Sequence, residues 1–172
     1  MRDKKNKPDA QDRAKQIIQQ NGGIIRTSDA LNAGIHPRTL YMLREAGDLE
    51  QFSRGIYRLT DIEPVSNPDL VVVAMRIPNS VVCLVSALSF HEITTQIPHK
   101  ISVAIQKDGK PSTLEYPPVR FYKFSRESFM AGIEEHQIDG VPIKVYDPEK
   151  TLADCFKFRN KIGMDVVLEA LK

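Results

Sequence analysis

The sequence predicts an α+β protein of two small domains, and three observations predict it. Residues 24–59 hold two short helical patterns parted by a glycine turn and followed by an alternating ribbon around a second glycine. Residues 60–68 break both helical and strand periodicity with Pro64 and Pro68 set among polar side chains. Beyond them, helical and strand patterns interleave to the end of the chain. The expected boundaries are a first domain over residues 1–61, a linker over 62–68 and a mixed α/β domain over 69–172.

In the first domain, Thr27 or Ser28 is the expected cap of a short helix, with Asp29 in its first turn and Ala30 and Leu31 on its inner side. Gly34 supplies the left-handed residue that lets the chain turn steeply into the next helix. Pro37 suits the first position of that helix, where its missing N–H is no loss. From there Leu40, Leu43 and Ala46 make an apolar stripe, and Arg38, Tyr41, Met42 and Glu45 fall on the other side. Gly47 is the expected stop.

Leu49 and Phe52 lead into a hairpin that turns near Arg54-Gly55 and returns through Ile56-Tyr57-Arg58-Leu59. Two short helices, a tight turn, a helix with basic residues on its outer face and a glycine ribbon together predict a winged helix-turn-helix docking on duplex DNA. Arg38, Thr39, Tyr41, Met42 and Arg44 are the candidate groove-facing residues, and Arg54 and Arg58 the candidate phosphate contacts. The bland alternative is a small helical subdomain whose arginines are merely solvated. Charge favours the first reading: residues 1–60 hold 11 Lys and Arg against 7 Asp and Glu, and the remainder 13 against 15. The bias is modest, so tight binding is expected to need two copies on a repeated site. Residues 1–7, with Lys4, Lys5 and Lys7, read as a solubilising terminus.

In the second domain, helices are expected from Pro68 and over residues 86–91, strands over 100–106, 119–124 and 141–146, and a further helix capped by Asp147. Leu152, Cys155, Phe156 and Ile162 are the expected inner residues of the last. Lys150 and Asp154 stand four apart, the spacing of an intrahelical ion pair. A carboxylate at the edge of the apolar stripe needs such a partner. Residues 164–172 are again helical and lack a capping signal, as in a chain that continues past Lys172.

The amino terminus is polar, and the longest apolar run, residues 70–75, falls far short of the about 20 residues that span a bilayer. The expectation is a cytoplasmic protein. Cys83 and Cys155 sit in apolar runs, which suits buried thiols better than nucleophiles. His91-Glu92 lacks the second histidine of a zinc-protease helix, no phosphate-binding glycine loop occurs, and no metal spacing is present. No enzyme, cofactor or metal is therefore expected.

With these pieces placed, the chain resembles the AbiEi-type antitoxins of bacterial type IV toxin-antitoxin systems. The similar features are Ala33-Gly34-Ile35 before a helix ending Leu43-Arg44-Glu45-Ala46-Gly47-Asp48-Leu49, and the wing Arg54-Gly55-Ile56-Tyr57. The Ser86-Ala87-Leu88-Ser89-Phe90-His91 helix and the Asp147-Pro148-Glu149-Lys150-Thr151-Leu152-Ala153-Asp154 segment complete them, in order. The resemblance implies a repressor that binds inverted repeats in its own promoter through the winged domain. It also implies a second domain that opposes a nucleotidyltransferase-like toxin, with or without a stable complex. His91, Lys150 and Asp154 are the candidate partner-surface residues of that domain. One departure stands out: His36 occupies the position where a Ser or Thr cap is expected. A winged domain that docks a protein in place of DNA is the alternative.

Overall fold

The computed structural model describes residues 9–172, and the lysine-bearing terminus lies outside them. Over the described residues the chain is mixed α/β, with helices and two sheets. It divides into two compact units. One runs through Ser66 and includes Asp139–Val141; the other comprises Asn67–Ile138 and Pro142–Lys172.

The first unit opens with α1 (Ala10–Gln20), a helix absent from the sequence reading, which buries Ala14 and Ile18 four residues apart on one face. β1 (Ile24–Arg26), α2 (Thr27–Asn32) and α3 (Pro37–Glu45) follow, then the hairpin of β2 (Leu49–Ser53) and β3 (Ile56–Leu59). The three strands form an antiparallel sheet in the order β1-β3-β2, with a register shift between Gln51 and Ser53. Ile18, Ile25, Ala30, Leu40, Leu43, Leu49 and Leu59 meet in one core.

Two expectations for α2 are corrected. Its cap is Arg26, not Thr27 or Ser28, because the helix starts directly from the end of β1, and Thr27 is committed elsewhere. The Thr27 N–H and Oγ1 both donate to the Gly55 carbonyl, at 2.9 and 3.2 Å, tying the strand-to-helix junction to the hairpin turn. Leu31 is 44% exposed, so Ala30 alone carries the inner face of this single turn and a half. Ala46 likewise lies exposed past the end of α3.

The second unit comprises α4 (Pro68–Arg76), β4 (Val81–Val82), α5 (Leu84–Phe90), β5 (Ile101–Gln106), β6 (Val119–Phe124) and α6 (Arg126–Met130). β7 (Ile133–Ile138), β8 (Val141–Tyr146), α7 (Pro148–Lys157), α8 (Arg159–Ile162) and α9 (Met164–Ala170) complete it. Its five strands lie in the order β6-β5-β4-β8-β7. β5 runs parallel to β6 and β4 parallel to β8, while β4 and β5 are antiparallel. Helices α5, α7 and α9 pack together over a core that includes Leu84, Leu88, Phe124, Tyr146, Cys155 and Val167.

The sequence reading missed β4, which has only two residues and no room to alternate, and β7, whose Glu134, Glu135 and His136 carry little strand preference. β7 lies at a sheet edge, where such polar residues are tolerated. Phe156 is 54% exposed and not an inner residue of α7. It follows Cys155 by one position, a turn of about 100° around a helix, and the Arg159 guanidinium lies 4.9 Å from its ring.

Candidate functional site

α3 is held at both ends by local chemistry. The His36 Nδ1 accepts from the Arg38 N–H at 3.1 Å, so the imidazole does the work of the absent Ser or Thr. At the other end Gly47 takes a φ of +80°, and its N–H and that of Asp48 return to the carbonyls of Arg44 and Leu43. Gly34, at φ +82°, makes the turn between α2 and α3.

The helix then divides cleanly. Leu40 and Leu43 are buried, and Arg38, Tyr41, Met42 and Arg44 are exposed, with Thr39 half-buried beside them. Tyr41 and Met42 are 54% and 44% exposed, large values for such side chains. The Arg44 guanidinium lies 5.5 Å from the Tyr41 ring centroid, which steadies both on the outer face.

The two hairpin arginines differ. Arg54 is exposed at the turn, next to Gly55 at φ +73°. Arg58 stands directly across the ladder from Glu50, with its Nε 2.8 Å from the Glu50 carboxylate and its side chain only 16% exposed. That Nε makes no hydrogen bond among the described residues, so charge alone holds the pair. The Phe52 ring lies 5.9 Å away. The cross-strand partner was invisible in sequence because the register, including the bulge after Gln51, decides who faces Arg58.

In the second unit the structure gathers His91, Lys150 and Asp154 around Tyr146, a residue the sequence reading passed over. The Lys150 ammonium binds the Asp154 carboxylate and the Ser128 hydroxyl, and lies 4.8 and 4.9 Å from the rings of Tyr146 and Phe124. The Tyr146 carbonyl meets the His91 Nε2 at 2.8 Å and accepts from the Thr151 hydroxyl at 3.1 Å. Its phenol donates to the Phe129 carbonyl at 2.9 Å. Asp154 is 3% exposed and the Lys150 side chain 13%. Such burial gives the pair a structural part within the unit, because a carboxylate in an apolar stripe is satisfied only where its cation is buried with it.

Burial pushes the Asp154 carboxyl up, and Lys150 pulls it back down. Burial also raises the Tyr146 phenol and the thiols of Cys83 and Cys155, the last to about 12. These thiols are therefore poor nucleophiles at neutral pH. Among the described residues no three of His, Cys, Asp and Glu group as a metal site, and no helix is long and apolar enough to cross a membrane.

No curated protein matches the chain by sequence. Residues 12–60, from α1 to the end of the hairpin, match the family of transcriptional regulators described as AbiEi antitoxin, which supports the resemblance over those residues; the features at residues 86–91 and 147–154 lie outside the match.

Proposed function

We propose that the first unit is a winged helix-turn-helix that binds duplex DNA, and that the protein is a bacterial cytoplasmic repressor of its own operon and the antitoxin of a type IV pair. The observation that carries this reading is the outer face of α3, where Arg38, Tyr41, Met42 and Arg44 stand exposed over a helix fixed at both ends. The family match over the same segment supports it. In this reading Arg38 reads a base edge, Thr39, Tyr41, Met42 and Arg44 line the groove, and Arg54 contacts phosphate. Two copies sit on an inverted repeat. The second unit opposes a nucleotidyltransferase-like toxin, by contact or indirectly, and the protein is not itself an enzyme.

Arg58 has a different part in this reading. Its Glu50 partner neutralises it, so it shapes the wing more than it binds phosphate. The test is an anisotropy titration of labelled duplex from immediately upstream of the gene, against a scrambled duplex, across a salt series. Arg54→Ala is expected to weaken both duplexes alike and to flatten the salt slope, by about 0.9 per lost phosphate contact. Arg38→Ala is expected to erode the preference between them by about 1–3 kcal/mol. Equal losses on both duplexes for Arg38→Ala would sink the base-reading role.

One observation favours a second reading, in which the winged unit docks a protein. Tyr41 and Met42 form an exposed apolar pair of the kind enriched at protein interfaces. Absence of duplex binding even at low salt, with a salt-insensitive protein partner lost in Tyr41→Ala, would select it.

A further inference from the structure

The second unit contains a cavity of about 810 Å³ that neither DNA binding nor the Tyr146 cluster uses. That volume falls within the range of about 300–1,000 Å³ typical of small-molecule sites. Three cations from three separate elements line it: Arg76 at the end of α4, Lys110 in the loop after β5, and Lys144 on β8. Asp108 is the single carboxylate in the lining. This excess of positive charge occurs in the acidic part of the chain, where residues 61–172 carry 13 basic against 15 acidic residues. Among the described residues, neither Lys110 nor Lys144 takes part in an ion pair. An anion placed between the two lysines would gain from both charges.

The rest of the wall is not built for a bare anion. Phe129 and Met130 of α6 line it; Phe129 is 7% exposed with its ring in the core, and Met130 is 60% exposed. The exposed thioether of Met130 is the polarizable surface offered to a flat body. The side-chain amides of Asn79 and Gln106 add neutral donors and acceptors. Few polar groups around an apolar wall, with charge concentrated in basic residues, is the make-up of a site that orients an amphipathic anion.

We propose that this cavity binds a small organic phosphate with a planar body, the chemistry of a nucleotide. Lys110 and Lys144 take the phosphates as point charges. Met130 and Ile133 take the planar body. The site is independent of DNA binding, and the test uses no DNA.

Calorimetric titration of the full chain with ATP, pyrophosphate and adenosine, without divalent cation, separates charge from body. Saturable binding of one ATP per chain, at least tenfold tighter than either fragment, is the expected result. Lys144→Gln and Lys110→Gln should each weaken ATP tenfold or more, with the thermal midpoint of the free protein kept. Lys123→Gln, outside the cavity lining, should leave the affinity unchanged. Should Lys144→Gln fail to fold, Lys110→Gln, in an exposed loop, decides alone. No saturable ATP binding at millimolar concentration, pyrophosphate as tight as ATP, or indifference to the lysine variants would each overturn the assignment.

Discussion

Asp154 and Lys150 form a buried ion pair whose two halves need each other, and that need is measurable. Lys150→Met leaves a carboxylate buried without its cation and is expected to cost about 3–5 kcal/mol, read as a lower urea midpoint. Adding Asp154→Leu to it should recover most of the loss, because the site then holds no charge. The pH dependence follows from the direction of the shift. A carboxyl raised by burial contributes its stability below its unfolded pKa, and that contribution fades as pH rises through the folded value. The Lys150→Met variant should therefore approach the wild type as pH falls into the carboxylate range, where Asp154 is neutral. The thiols follow the same sign: raised by burial, with Cys155 at about 12, they favour the fold below the unfolded thiol pKa of about 8.5. A thiol reagent at pH 8 should label neither in the folded protein and both in urea; rapid labelling without denaturant would contradict their burial.

Among the elements, α3 depends on its closing glycine. Gly47 sits at φ +80°, and a Cβ added there meets nothing within 4 Å, so Gly47→Ala tests backbone conformation alone. A loss of about 1–2 kcal/mol is expected from the left-handed penalty. A loss near zero would mean that the helix end rearranges freely. This glycine was legible in sequence, as were Gly34, the cap at Asp147 and the hairpin turn, because each reflects a rule acting within a few residues. The outer face of α3 was legible for the same reason. What stayed hidden depends on pairing at a distance. Arg58 looked free until register set Glu50 opposite it, and Thr27 looked like a cap until β1 brought it to the Gly55 carbonyl. Helix α1 is the exception, since Ala14, Ile17 and Ile18 carry the helical spacing openly and the signal was there to be used. The Tyr146 cluster was half legible: the four-residue step from Lys150 to Asp154 is local, whereas the carbonyl that meets His91 lies 55 residues away.

The molecule as a whole rests on two sheets of different build. The first is a small antiparallel sheet in which the β2–β3 hairpin is flanked by β1 on the β3 side. The second has at its centre a strand two residues long, Val81–Val82, which joins β5 on one side to β8 on the other. The Val82–Val145 pairing spans 63 residues of sequence, whereas Ile101 and Val119 pair across 18. Closing the longer loop costs more entropy before any contact repays it, and only one parallel register position rewards it. Val82 and Val103 pair across only 21 residues, so the junction of β4 with β8 is expected to be the last part of the sheet to assemble. Val82→Ala removes two buried methyl groups and should cost about 2 kcal/mol, carried almost wholly by the unfolding rate, roughly thirtyfold faster with refolding unchanged. Slowed refolding in stopped-flow would place β4 in the nucleus instead. A sheet whose β4–β8 junction closes last keeps the facing edges of β4 and β8 open while the chain emerges, so in the newborn protein the hazard of mispairing lies in the middle of the sheet and not at its borders.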